Sequence, residues 1–274
     1  MAIYEERMSL PVGKGIELEV HRYYQEQGCP DIVLAGGLGV SAGRNLLVDD
    51  LSKNYCVTTF SPRGSGGSGG ALTTEASTSD IRLIFDDLEQ KRSRKTFGAW
   101  GYSLGGYSLA RVLGEKSVAQ KSVLLCPLLS MDEQNPSFIS HPVKWAVHNP
   151  LSAKFLDACL DAYLPSGRNF KIVGAQGFRK EDLVPFVRST FDAPKCDKPL
   201  LSDTKVILTG GTVFCQRIPY IDSLAKKWEN LGAKVSVKEG INHCISGEVY
   251  NPSRHFYSVG ESSGIHREIL DFFE

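Results

Sequence analysis

The stretch Phe97-Gly98-Ala99-Trp100-Gly101-Tyr102-Ser103-Leu104-Gly105 decides how this chain reads. Phe97 to Gly101 is a short, mostly apolar run of the length of a buried strand. Gly101 to Gly105 fits G-x-S-x-G, and Leu104 to Leu113 continues as a helix. A serine between a strand and a helix sits on a tight turn. Its neighbours approach closely, so the positions two either side of it must be small. The turn lifts the hydroxyl above the sheet edge. The N–H of Leu104, at the helix start, then faces an oxyanion forming on an attacked carbonyl. The plain alternative is a Gly-rich turn with an idle serine, since the five-residue pattern alone arises by chance in many chains. The strand-turn-helix setting favours Ser103 as a nucleophile.

Similar short apolar runs lie on both sides. Asp31–Ala35 and Tyr55–Phe60 precede the serine turn, and Ser122–Cys126, Lys205–Thr209 and Ala233–Val237 follow it. Met8–Val12 and Ile16–Tyr24 read as a strand pair joined at Gly13-Lys14-Gly15. Helical patterns alternate with these runs at Ser41–Leu51, Ser79–Gln90, Tyr220–Leu231 and Ile265–Phe273. In the second of these, Ile81, Ile84, Phe85 and Leu88 share one face. Continuous apolar strands alternating with helices predict an α/β chain with a doubly wound, mostly parallel sheet covered on both faces. The rhythm breaks between Leu128 and Leu201. A structureless loop of that length is improbable in a compact domain. The expectation is a core made of residues 1–127 and 201–274, with a mainly helical cap inserted at 128–200 that helps to line a pocket.

Bulk properties narrow the function. Lys plus Arg number 31 and Asp plus Glu 31, so no basic excess favours nucleic acid or anionic lipid as a partner. The basic run Lys91–Lys95 reads as a solvated helix end. The Gly-rich stretch Gly64–Gly70 matches neither phosphate-binding pattern, which argues against nucleotide binding. The seven cysteines are odd in number, contain no C-x-x-C pair and read as reduced core residues. Neither they nor the histidines show metal-ligand spacing, so no metal or organic cofactor is expected. His21, His141, His148, His255 and His266 have no motif around them and read as structural. Met1–Leu10 lacks a basic flank followed by an apolar run, and no uncharged stretch is long enough to cross a bilayer. The expected location is the cytoplasm.

Four segments together resemble the α/β-hydrolase fold superfamily and span most of the chain. The serine turn is the first. Ala35-Gly36-Gly37-Leu38-Gly39 is similar to the family's His-Gly-x-Gly oxyanion loop, with Gly36 where histidine often stands. Phe60-Ser61-Pro62-Arg63-Gly64-Ser65-Gly66-Gly67-Ser68 resembles its Asp-x-Arg-Gly-x-Gly-x-Ser turn, with Ser61 in place of Asp. Gly240-Ile241-Asn242-His243 follows the last strand, where the family carries its catalytic histidine. The resemblance implies His243 as general base and the Leu38 N–H as second oxyanion donor beside that of Leu104.

The family's triad acid is missing from its usual place. Val213 occupies the slot, and Gly210–Pro219 contains no Asp or Glu. The resemblance allows the acid to stand after the preceding core strand, where Asp132 and Glu133 lie, with Asp132 the first choice. Asp222 is a third candidate. The remaining alternative is a Ser103–His243 dyad, which suits an activated acyl donor such as a thioester. The expected activity is hydrolysis of a carboxylic ester or thioester through an acyl-enzyme on Ser103. One alternative is a thioesterase acting on coenzyme A or acyl carrier protein thioesters. Another is a ligand-binding protein of hydrolase ancestry, in which the missing acid reflects lost catalysis.

Overall fold

A computed structural model describes residues 2–37, 42–92, 96–127, 148–149, 183–209, 221–238 and 264–274. Among them are eight strands: β1 (Tyr4–Gly13), β2 (Ile16–Tyr24), β3 (Asp31–Ala35), β4 (Cys56–Phe60), β5 (Thr96–Tyr102), β6 (Ala119–Leu125), β7 (Asp203–Thr209) and β8 (Lys234–Lys238). The helices are α1 (Leu46–Leu51), α2 (Thr74–Arg92), α3 (Leu104–Glu115), α4 (Leu183–Phe191), α5 (Ile221–Asn230) and α6 (Ile265–Phe273).

The strands form one sheet in the order β1-β2-β4-β3-β5-β6-β7-β8. β1 and β2 are an antiparallel hairpin, and β2 meets β4 antiparallel. Every other pairing is parallel. From β3 the chain passes to β4 on one side and then to β5 on the other. The order therefore reverses beside β3, which opens a crevice at the carboxyl ends of β3 and β5, where ligands bind in open α/β sheets.

Alternation along the strands divides the core in two. Val33, Ala35, Ala99 and Leu124 pack with Ile84, Phe85 and Leu88 of α2, Leu109 and Leu113 of α3, and Trp228 of α5. Ile32, Leu34, Trp100 and Val123 pack with Leu47 and Leu51 of α1 and Ile265, Ile269 and Phe273 of α6. Both faces are covered, which is why β3 is buried at every residue. Gly98 serves the second face by omission: a Cβ there would stand 2.7 Å from the Phe273 ring.

Two helix starts differ from the sequence reading. The first helix begins at Leu46 rather than Ser41, because the Asn45 side chain accepts the Val48 N–H and caps it there. α2 begins at Thr74 rather than Ser79. Its first turns bury Thr74, Ser77, Thr78 and Asp80, polar residues that an apolar period does not reveal. Thr73 Oγ1 accepts the Ala76 N–H at the start of this helix.

Of the expected insertion at 128–200, only 148–149 and 183–200 are described. The latter part shares the core of α2 and α3. Phe186 and Cys196 are buried in it, the Tyr107 hydroxyl donates to Pro194 O, and Thr74 Oγ1 donates to Ser189 O. No helix among the described residues is long and apolar enough to cross a membrane.

Candidate active site

Ser103 stands between β5 and α3 with φ 52° and ψ −116°. It is one of three non-glycine residues at positive φ among the described residues. Such a conformation costs a residue with a Cβ about 1–3 kcal/mol and persists only when its surroundings impose it. Those surroundings are backbone. The Ser103 N–H donates to Leu125 O at the end of β6 (3.0 Å), and the Tyr107 N–H donates to Ser103 O (3.0 Å). The neighbouring glycines supply room. A Cβ on Gly105 would lie 2.2 Å from Ala35 O and 2.3 Å from Gly36 O. One on Gly101 would lie 2.8 Å from Gly106 Cα. Gly105 is thus required because the end of β3 presses against the turn, and Gly101 because the start of α3 does.

Leu104 is the first residue of α3 and is buried. The leading N–H groups of an α-helix have no intrahelical acceptor and carry its positive dipole end. The serine hydroxyl is carried at that helix end. Gly37, the last described residue of the loop after β3, lies alongside. A Cβ there would sit 2.7 Å from the Tyr102 ring and 3.2 Å from Ser103 Cβ. Leu38, Asp132, Glu133, His243 and the Val213 slot lie outside the described residues. Asp222 is in the first turn of α5 and is exposed.

The turn after β4 is built differently. Arg63 Nε donates to Asp80 Oδ1 (2.6 Å), and the Arg63 N–H donates to Asp80 Oδ2 (2.8 Å). The guanidinium also reaches Ala76 O (3.0 Å). Arg63 therefore fastens this turn to α2. The sequence reading missed the partner of Ser61, the residue standing where the family has Asp. The Ser61 hydroxyl donates to Glu19 Oε2 of β2 (2.7 Å), and the same oxygen accepts the Gly67 N–H (2.9 Å). A serine in a carboxylate's place is the signal that could have prompted a search for an acid elsewhere.

The other described histidines have structural partners. His21 is buried beside Tyr23 Oη (3.1 Å) and Glu19 Oε1 (3.3 Å). His148 meets Asp192 (2.9 Å), and His266 meets Asp50 (2.9 Å). No cluster of three or more metal-ligating side chains occurs among the described residues.

This sheet order agrees with what comparison finds. The family model described as alpha/beta hydrolase fold matches residues 32–160. Among solved structures, the chain is similar to the enol-lactonase from Burkholderia xenovorans at 17% identity, covering 94% of this chain and 97% of that one, with a TM-score of 0.58. It is similar to a carboxylesterase from Bacillus subtilis at 11% identity, covering 98% and 91%, with a TM-score of 0.58. An α/β hydrolase from a Penicillium species matches at 14% identity over 98% of each chain, with a TM-score of 0.63. The chain has the α/β-hydrolase fold. A search of curated proteins returned no significant match.

Proposed function

We propose that this chain is a serine hydrolase that cleaves a carboxylic ester or thioester through an acyl-enzyme on Ser103. The observation that carries the reading is the strained backbone of Ser103 on a turn packed against the end of β3. Glycine would occupy that conformation without strain, so an idle residue there would gain by losing its side chain.

The mechanism assigns the remaining roles by resemblance. Ser103 Oγ attacks the carbonyl carbon while His243 takes its proton. The oxygen of the tetrahedral intermediate, now negative, is held by the N–H groups of Leu104 and Leu38. His243 returns the proton to the departing alcohol or thiol, leaving Ser103 acylated. Water, deprotonated by His243, attacks the acyl carbon, and Ser103 recovers its proton as the carboxylic acid leaves. Asp132 is the proposed orienting acid for His243. The substrate is a small-molecule acyl compound, and residues 128–200 are the proposed cap over it. The chain acts in the cytoplasm without a metal or cofactor.

Reaction with a fluorophosphonate probe tests the nucleophile. Wild-type protein should be labelled on Ser103 and should hydrolyse p-nitrophenyl butyrate. Folded Ser103→Ala should do neither, with turnover lower by roughly three orders of magnitude or more. Near-wild-type turnover by that variant would sink the mechanism. Comparing p-nitrophenyl butyrate with butyryl-coenzyme A separates ester from thioester preference.

A further inference from the structure

The loop that carries Leu38 is fastened at both ends. At its start, Gly36 and Gly37 are wedged against Gly105, Tyr102 and Ser103. After residues 38–41, which lie outside the described residues, the Ala42 N–H donates to Ser61 Oγ (2.8 Å). The Gly43 N–H follows, donating to Thr59 Oγ1 of β4 (3.3 Å). Ser61 is completely buried. What orients its hydroxyl therefore orients the end of the loop.

That orientation comes from Glu19. An ionised carboxylate can only accept, so the Ser61 proton must point toward Glu19 Oε2, which lies 2.7 Å away. The serine oxygen then turns its lone pairs to the Ala42 N–H. The chain Ala42 N–H to Ser61 to Glu19 has one direction, and its last acceptor is charged, which shortens and strengthens such bonds. Glu19 is itself fixed. Its Oε2 accepts the Gly67 N–H, its Oε1 lies 3.3 Å from His21 Nε2, and its own N–H donates to Ser68 Oγ (2.9 Å). The Ser68 hydroxyl in turn donates to Ser61 O (2.6 Å). Gly66 closes the junction: a Cβ there would lie 2.3 Å from Ser61 Oγ and 2.9 Å from Glu19 Oε2.

We infer that Glu19, through Ser61, is a positioning residue for the oxyanion loop. The inference rests on the serine-hydrolase reading, with Leu38 as an oxyanion donor. Glu19 supplies from β2 the carboxylate that the superfamily's pattern carries at position 61 itself. Its effect is on the transition state, because the Leu38 N–H is used fully only when the carbonyl oxygen becomes negative.

Glu19→Ala, Glu19→Gln and Ser61→Ala test this beside Ser103→Ala. Each is assayed for p-nitrophenyl butyrate turnover and for inhibition by a trifluoromethyl ketone, whose adduct with Ser103 carries the oxyanion. Glu19→Ala and Ser61→Ala should lower kcat roughly 10- to 100-fold with KM within about threefold. Inhibitor affinity should fall by the same factor as kcat/KM. Glu19→Gln keeps an acceptor oxygen for Ser61 and Gly67 and should recover most of kcat. A merely structural role would lower the melting temperature without this split. If Glu19→Ala fails to fold, Ser61→Ala, which loses one oxygen, carries the test alone. Unchanged inhibitor affinity or kcat within about twofold in folded Ser61→Ala overturns the positioning role. Retained turnover in Ser103→Ala instead overturns the serine-hydrolase reading on which it rests.

Discussion

Two glycine-rich turns, Gly101–Gly106 after β5 and Gly64–Gly70 after β4, leave the carboxyl ends of parallel strands. In both, glycine makes room for close neighbours, such as Leu72 N beside Gly64, but only in the second does it also take positive φ. In the second, Gly64, Gly66 and Gly70 all have positive φ, at 75°, 53° and 80°. Glycine takes such angles at little cost, so the turn is relaxed. Its hydrogen bonds are made within and around it, as in Gly64 N–H to Gly69 O (3.0 Å) and Gly69 N–H to Glu17 O (3.0 Å). In the first turn no glycine has positive φ, and the strained angle falls on Ser103 instead. Its glycines make space for neighbouring backbone. One turn is architecture with its strain removed. The other keeps its strain on the side chain proposed to do chemistry.

The largest effect separates the two uses of glycine. Gly105→Ala places a methyl group 2.2 Å from Ala35 O, so the backbone of β3 and the turn must part. Ester turnover should fall at least about 100-fold, since small displacements of reacting groups have effects of that size. Gly70→Ala meets nothing closer than 3.4 Å but keeps a φ of 80°. It should lower stability by about 1–2 kcal/mol, the usual cost of this region for an L-residue, and leave kcat near wild type. Kinetics and denaturant melts on both variants check this. Equal loss of activity in the two would erase the distinction.

Ser103→Gly should sharpen it. The substitution removes the nucleophile and the strain together, so activity vanishes while stability rises by about 1 kcal/mol. In thermal melts that is an increase of roughly 2–4 °C for a chain of this size. An unchanged or lower melting temperature would mean that lost contacts outweigh relieved strain.

The smallest effect is pH-dependent and belongs to the second turn. Partial burial pushes the Glu19 carboxyl up, but the Gly67 N–H, the Ser61 hydroxyl and His21 outweigh it, so it sits below the ordinary glutamate value. A depressed carboxyl contributes stability above its unfolded value and loses it as pH falls through the folded one. The melting-temperature advantage of wild type over Glu19→Gln should therefore be complete near neutrality and shrink on acidification below the ordinary glutamate range. An advantage independent of pH would show that Glu19 acts by shape rather than charge.

The sheet was legible because its strands are buried on both faces. Ile16–Tyr24 and Asp31–Ala35 match β2 and β3 in full, and the other runs fall within three residues of the observed ends, except that β1 begins at Tyr4, four residues before Met8. The serine turn was legible because steric demands leave a local pattern. Glu19 was not. In β2 it alternates with the buried Leu18 and Val20 and reads as a solvent-facing residue. Its partner Ser61 is 42 positions away, brought near only by the antiparallel contact of β2 with β4. The start of α2 was missed for a related reason: Asp80 and Thr74 are buried by polar partners, and hydrogen bonds have no period.

The small gap at Gly98 has a consequence for the order in which the chain can mature. It is filled by Phe273, and α6 is fastened there by hydrogen bonds to Phe273 O from the Tyr55 hydroxyl and to Phe272 O from Lys121 Nζ. Glu268 joins the same helix to Lys205 of β7 and Lys238 of β8. Chains emerge from the ribosome at about 5–20 residues per second, amino end first. Ile32, Trp100 and Val123 are thus made well before the helix that shelters them. During that interval α1 covers its part of this face, while the part that α6 shelters stays open.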